Sequence, residues 1–269
     1  MSVAVSPAVT PPSALADFAA LARQLAGKTP AVFLDYDGTL TPIVSRPDLA
    51  RLAAVTRGAV AALAERCPVA IVSGRDLADV RALVGLPGLI YAGSHGFDIA
   101  GPHGESLVLQ QGTEFLPTLS AAADMLAERL SALPGVLIEY KRFAITVHYR
   151  LASVGGQDEA SAAVEAVAAE TGLRVTGGKM IRELRPPIPW DKGRAVLWLL
   201  ERLGLTGPEV VPLYLGDDET DEDAFRALAG RGLGVCVDPE PRPTAAAFRL
   251  DGPAEVRPFL ERLAALAER

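Results

Sequence analysis

Apolar positions along this chain follow two different periods, and the change comes partway along it. Toward both ends, short unbroken apolar runs finish in polar turns: "AVFLDYDG", "VAIVSGR", "LIYAGSHG", "VVPLYLGDD" and "GLGVCVD". Runs of this form are strands buried on both faces of a parallel sheet. Between them lie segments with helical spacing: "ALADFAALARQLA", "RLAAVTRGAVAALAERC", "DLADVRALVG", "WDKGRAVLWLLERLG" and "TDEDAFRALAG". The third of these opens on Asp and closes on Gly, as helix caps require. Strands alternating with helices predict an α/β fold, a doubly wound Rossmann-like parallel sheet built from residues 14–107 and 188–269. Ligands of such sheets gather at the carboxyl ends of the strands, and Asp35, Ser73 and Asp217 each fall at one.

The middle has another period. "TEFLPTLSAAADMLAERLSAL" predicts a helix that breaks or begins near Pro117, and "QDEASAAVEAVAAETG" predicts a second. "VLIEYKRFAITVHYR" predicts two strands meeting around Lys141 and Arg142, and "KMIREL" another. Period-2 alternation puts Leu137, Glu139 and Lys141 on one face, His148 and Arg150 on one face, and Lys179, Ile181 and Glu183 on a common side. The expectation is an inserted α+β cap domain over residues 108–187 with a polar sheet face, the prolines of "RPPIPW" marking the return to the core. Residues 1–13, rich in proline and small side chains, are expected to form a loose tail.

Composition narrows the partners. Hydrophobic residues make up 49% of the 269, enough for a substantial core. A net charge of −7 with interspersed signs argues against nucleic-acid binding, so an anionic substrate would need a local positive pocket. No apolar run approaches the roughly 18 residues that cross a bilayer. Cys67 and Cys236, far apart and without CxxC spacing, are expected as buried thiols in the cytoplasm.

The candidate chemistry begins at Asp35 and Asp37. A carboxylate can attack a phosphoryl group and hold it as an acyl phosphate, while a second protonates the leaving alkoxide and later activates water. Gly38 lets the backbone approach a phosphate, and Thr39 adds a hydroxyl. Ser73 in "VSGR" offers a donor to a phosphoryl oxygen, Lys192 in "DKG" offers a cation, and "LGDDETDEDAF" offers carboxylates suited to a hard ion such as magnesium.

These segments in this order (DxDGTL, SGR, a lysine before Gly, GDDxTDED) resemble the haloacid dehalogenase-like phosphohydrolase superfamily. With "DYDGTLTPI", "GSHG", "HYR" and "ELRP" the chain resembles, within it, the trehalose-6-phosphate phosphatases. The resemblance implies Asp35 as nucleophile, Asp37 as general acid and base, and Ser73 and Lys192 as holders of the phosphoryl group. It implies Mg²⁺ on the Asp35 carboxylate, the Asp37 carbonyl and Asp217, with Asp218 and Asp221 in support. It further implies Arg75, His95 and Gly96 on the core side of the cleft, and Glu139, Lys141, Arg150, Lys179 and Glu183 gripping the sugar of trehalose 6-phosphate. A functional link to a trehalose-6-phosphate synthase would follow.

Plainer readings compete. Asp35 and Asp37 could form an Asx turn, and Thr220 with Asp223 fits a capping box that accounts for part of the acidic run. His95 could be structural, His148 a strand residue, His103 a turn residue, and Arg185 a hinge-side charge without a ligand. Glu139, Lys141 and Arg150 could be the wet face of an antiparallel sheet. Rival functions are a phosphatase for another sugar phosphate and a non-catalytic sugar-phosphate sensor.

Overall fold

The computed structural model describes residues 10–267 except 45, 47, 48, 103–106, 179 and 241. His103, Lys179 and the first nine residues of the expected tail therefore lie outside the described residues.

Strand β1 (Thr29–Leu34) shows how the core forms. Val32 and Leu34 pack into one apolar cluster and Ala31 and Phe33 into another, on opposite faces of the sheet. Each fully buried Val, Leu or Phe contributes about 1.5–3 kcal/mol, so β1 is clamped from both sides up to the point where Asp35 leaves it. Helices α1 (Phe18–Leu25), α2 (Ala54–Ala64), α3 (Leu77–Val84) and the C-terminal α8 (Pro253–Leu266) feed the first cluster. Helices α6 (Lys192–Arg202) and α7 (Asp221–Leu228) feed the second.

The other strands of this sheet are β2 (Val69–Val72), β3 (Ile90–Gly93), β4 (Asp98–Ala100), β5 (Val108–Gln110), β10 (Val210–Gly216), β11 (Leu233–Val237) and β12 (Phe248–Leu250). Their order is β12-β11-β10-β1-β2-β3-β4-β5, parallel except where β4 and β5 turn back. The chain leaves β1 toward β2 and later returns to β10 on the other side. The switch point thus lies between β1 and β10, where open α/β sheets place their ligand crevice.

A second sheet, β6-β7-β9-β8, joins β6 (Leu137–Lys141), β7 (Ala144–His148), β8 (Arg174–Gly178) and β9 (Ile181–Arg185), all antiparallel. Its apolar face, with Ile145, Val147 and Leu184, packs on α4 (Leu116–Leu130) and α5 (Val154–Thr171). This is the inserted α+β cap. Its other face carries Glu139, Thr146 and Glu183 in one cross-strand row.

The structure differs from the sequence reading at three places. Val108–Gln110, assigned there to the insertion, pairs with β4 in the large sheet. Pro12 and Ser13, assigned to the tail, lie along β12: the Arg249 N–H donates to the Pro12 carbonyl and the Ala14 N–H to the Arg249 carbonyl, at 2.9 and 2.8 Å. Arg150 is not on β7, which ends at His148. Tyr149 turns inward and the Ala152 N–H closes a turn onto its carbonyl at 3.1 Å, which leaves Arg150 on the exposed outside. No helix among the described residues is long and apolar enough to cross a membrane.

Candidate active site

At the end of β1 the Asp35 N–H still donates to the Leu215 carbonyl at 2.9 Å, so the sheet itself holds the residue. Its side chain is buried, and Lys192 Nζ, from the first turn of α6, donates to Asp35 Oδ1 at 3.0 Å and Asp221 Oδ1 at 2.7 Å. Burial raises the Asp35 carboxyl well above the usual range; Lys192 opposes the rise, and Asp221, Asp217 and Asp218 add to it. Burial works against the Lys192 ammonium, but the Asp221 and Asp35 carboxylates hold its pKa well above the ordinary value.

Asp221 is the brace of the cluster. Its Oδ1 accepts from Lys192 and from the Tyr214 hydroxyl at 2.6 Å, and its Oδ2 from the Asp217 and Asp218 N–H groups at 2.9 and 3.0 Å. Gly216 leaves room for this, since a Cβ there would sit 2.2 Å from Asp221 Cγ. Asp218 Oδ1 accepts from the Thr220 N–H at 2.8 Å and the Thr220 hydroxyl at 2.7 Å, which stiffens the entry to α7. Asp217 faces Asp35, accepts from the Thr39 hydroxyl at 3.3 Å, and is pushed up to about 8 by burial and by Asp221.

Among the described residues, Asp35, Asp217 and Asp221 bring ligand oxygens within 4.8 Å of one another. Hard oxygen donors crowded together with raised pKa values fit a divalent cation such as magnesium. Both Asp221 oxygens are already taken by four donors. Asp35 and Asp217 are therefore the side chains left to ligate.

Asp37 lies beyond the strand, and Arg75 grips it through two bonds of 2.6 and 2.7 Å while also reaching Asp79 at 3.0 Å. Arg75, expected against the substrate, thus contacts the candidate acid directly. Ser73 is buried where β2 ends, its Oγ accepting from the Arg75 N–H at 3.2 Å. His95 stands in the left-handed region (φ 57°), its ring pressed on the backbone at Gly74, where a Cβ would meet Cε1 at 2.7 Å. Gly96 has φ +88°, and its missing Cβ admits Ala195 of α6.

From the cap, Glu183 reaches this same place. One carboxylate oxygen pairs with Arg185 and lies 3.3 Å from His95 Nε2; the other pairs with Thr146 and, at 3.0 Å, with Lys141. Arg185 also meets His95 Nε2, and all these groups but Lys141 are buried. Burial would raise the Glu183 carboxyl, but Arg185 and Lys141 hold it well below its usual value; burial and Arg185 together push His95 down to about 3. Glu139 pairs with His148 at 2.9 Å on the same cap face. The sequence offered for Arg185 only the plain reading of a hinge-side charge; its i+2 spacing from Glu183 was the signal that both share a face. Tyr214, interior to a strand, gave no such signal.

Residues 33–254 match the family model described as Trehalose-phosphatase. The chain is 48% identical over 252 residues to a "Trehalose-phosphate phosphatase" of Mycobacterium avium (strain 104), covering 91% of this chain and 64% of that protein. It is 48% identical over 248 residues to one of Mycobacterium tuberculosis (strain ATCC 25618 / H37Rv), covering 91% and 63%. The chain thus spans a little under two thirds of the length of these curated relatives. Among solved structures, the C-terminal domain of C. albicans trehalose-6-phosphate phosphatase matches with a TM-score of 0.79 at 26% identity, covering 97% of this chain and 99% of that one.

Proposed function

This chain belongs to the trehalose-phosphatase family, and on that premise we propose that it hydrolyses trehalose 6-phosphate to trehalose and phosphate with magnesium as cofactor. The observation that carries the reading is Asp35: a buried carboxylate at the switch point, tethered by Lys192 and facing Asp217. Lys192 holds Asp35 Oδ1 and so aims the carboxylate. Asp35 attacks phosphorus, the bond from phosphorus to the sugar oxygen breaks, and Asp37 gives that oxygen a proton. Asp37 then takes a proton from water, which attacks phosphorus and releases Asp35. Ser73 and Lys192 bind the phosphoryl oxygens during both transfers. Asp35, Asp217 and the Asp37 carbonyl would hold magnesium, which when bound offsets charge on the phosphoryl group.

Glu139, Lys141 and Glu183 face the core from the cap and are the proposed grip on the sugar hydroxyls. A substrate of this kind calls for a reaction that makes it, so a trehalose-6-phosphate synthase is the proposed functional partner. The buried free thiols Cys67 and Cys236 suit a reducing compartment, the cytoplasm.

The test is phosphate release from a panel of sugar phosphates, with and without Mg²⁺, for the wild type and Asp35→Asn. Trehalose 6-phosphate should be the best substrate, turnover should require Mg²⁺, and Asp35→Asn should lose at least about 1000-fold in kcat, in line with the loss of a nucleophile. Asp35→Asn turning over at the wild-type rate would overturn the proposal.

A further inference from the structure

Arg242 lies in the proline-rich stretch after β11, outside every motif of the sequence. Its guanidinium nonetheless joins three segments. Nη1 donates to Glu222 Oε1 in the first turn of α7 at 2.9 Å, and Nε pairs with Asp238 beyond β11 at 3.2 Å. Nη2 donates to the main-chain carbonyl of Asp217 at 3.0 Å, with the Asp218 carbonyl at 3.4 Å. Glu222 is itself buried and fixed, since its other oxygen accepts the Ala245 N–H at 2.8 Å.

The bond to the Asp217 carbonyl has a specific consequence. That carbonyl and the Asp218 N–H belong to one planar peptide unit and point in opposite directions. The N–H is held by Asp221 Oδ2 at 3.0 Å and the carbonyl by Arg242. The plane is therefore pinned from both sides, which fixes the backbone torsions flanking it and with them the direction of the Asp217 side chain. Asp221 supplies the inner pin from within the cluster; Arg242 supplies the outer one with charge-assisted bonds.

We propose that Arg242 is a positioning residue for the cation site: it pins the Asp217–Asp218 peptide so that Asp217 meets Asp35 at ligating separation. This rests on the reading of Asp35 and Asp217 as magnesium ligands. A planar fork reaching two carbonyls and two carboxylates is a task for arginine, and lysine would satisfy only part of it.

The experiment is calorimetric titration of the full chain with Mg²⁺ for the wild type, Arg242→Gln and Arg242→Lys. Phosphate release is followed in parallel across a range of Mg²⁺ concentrations, and thermal melts establish folding. Arg242→Gln should weaken Mg²⁺ binding by about tenfold, the low end for loss of a group that supports a ligand. The Mg²⁺ needed for half-maximal activity should rise by the same factor, while KM for trehalose 6-phosphate at saturating Mg²⁺ stays put. Arg242→Lys should bind between the two, and it carries the test if Arg242→Gln does not fold. Wild-type Mg²⁺ affinity in a folded Arg242→Lys and Arg242→Gln would overturn this inference alone. A wild type that binds no Mg²⁺ would overturn the metal-site reading and this inference with it.

Discussion

At the scale of single residues, the site is a matter of where a side chain is missing as much as where one is present. Gly38 has φ +80°, and a Cβ there would lie 2.0 Å from Asp217 Oδ2. Gly38→Ala therefore faces the left-handed penalty, about 1–2 kcal/mol, and also displaces Asp217 from Asp35. Displacement of about 1 Å at a reacting centre can cost 10²-fold, so Gly38→Ala should lose about 100-fold in kcat while melting only a few degrees lower. Steady-state kinetics beside a thermal melt checks this; wild-type kcat would show that Asp217 has no fixed position to lose. The glycine and the paired aspartates were legible in "DYDGTL" because chemistry and turn geometry both demand them. The distinct parts of Asp217 and Asp221 came only from the resemblance, because residue type alone leaves the carboxylates of "GDDETDED" interchangeable; their physical basis, that Asp221 is saturated by four donors, needed the structure. Arg242 was illegible for a different reason: the contacts that tie it to the site are to the Asp217 and Asp218 carbonyls, which carry no sequence signal, and its carboxylate partners Glu222 and Asp238 lie outside the site.

At the scale of elements, the strands clamped between two apolar layers announced themselves as unbroken apolar runs, and of the two caps expected for α3 the C-terminal one appears, with Gly85 left-handed at φ 66°. What periodicity missed is short or mixed. β4 and β5 have three residues each, too few for a period, and α8 carries Pro253 in its first turn and Pro258 inside, which reads as a broken helix. The β6–β7 turn was located without its purpose being visible. The Arg142 N–H donates to both oxygens of Asp76 at 2.9 and 3.1 Å, its guanidinium meets Asp98 at 3.1 Å, and Phe143 stacks on Phe97 with centroids 6.0 Å apart. The turn is thus the cap's foot on the core. Asp76 does not cap α3 with its side chain, which also accepts the Ser94 hydroxyl at 2.9 Å. Bonds to a charged group contribute about 1.5–3 kcal/mol, so Asp76→Ala should raise KM for trehalose 6-phosphate about tenfold by loosening the cap. Hydrolysis of a small aryl phosphate, which needs no cap contacts, should change less than about twofold, a difference well under 1 kcal/mol. Equal losses on the two substrates would place the effect in the core instead.

At the scale of the whole molecule, core and cap meet at a buried polar joint, His95 with Arg185 and Glu183, and a joint of this kind makes stability depend on pH. His95 is pushed from its ordinary 6.5 to about 3, by burial first and by Arg185 second, with Lys192 acting in the same sense and Glu183 against it. Its folded form therefore refuses a proton that the unfolded chain accepts. The stabilising contribution is complete above about pH 6.5 and is lost progressively as the pH falls toward 3, because the unfolded state binds more protons in that window. Glu183, held well below its usual value, adds to the loss only at lower pH, where unfolded glutamates protonate. Asp217, raised to about 8, works in the opposite direction, since the folded form keeps a proton that the unfolded one has given up. The bare change in Tm with pH thus mixes two signs, and the comparison that isolates the joint is wild type against His95→Gln. Gln keeps a polar group at this place but cannot be protonated. Between pH 6.5 and 5 the histidine's share reaches at most about 2 kcal/mol. The Tm of the wild type should therefore fall more on going from pH 7 to pH 5 than that of His95→Gln, in thermal melts run side by side in the same buffers. Parallel curves would mean that His95 takes up its proton over the same pH range folded and unfolded, and that neither burial nor Arg185 keeps a proton off it at the joint.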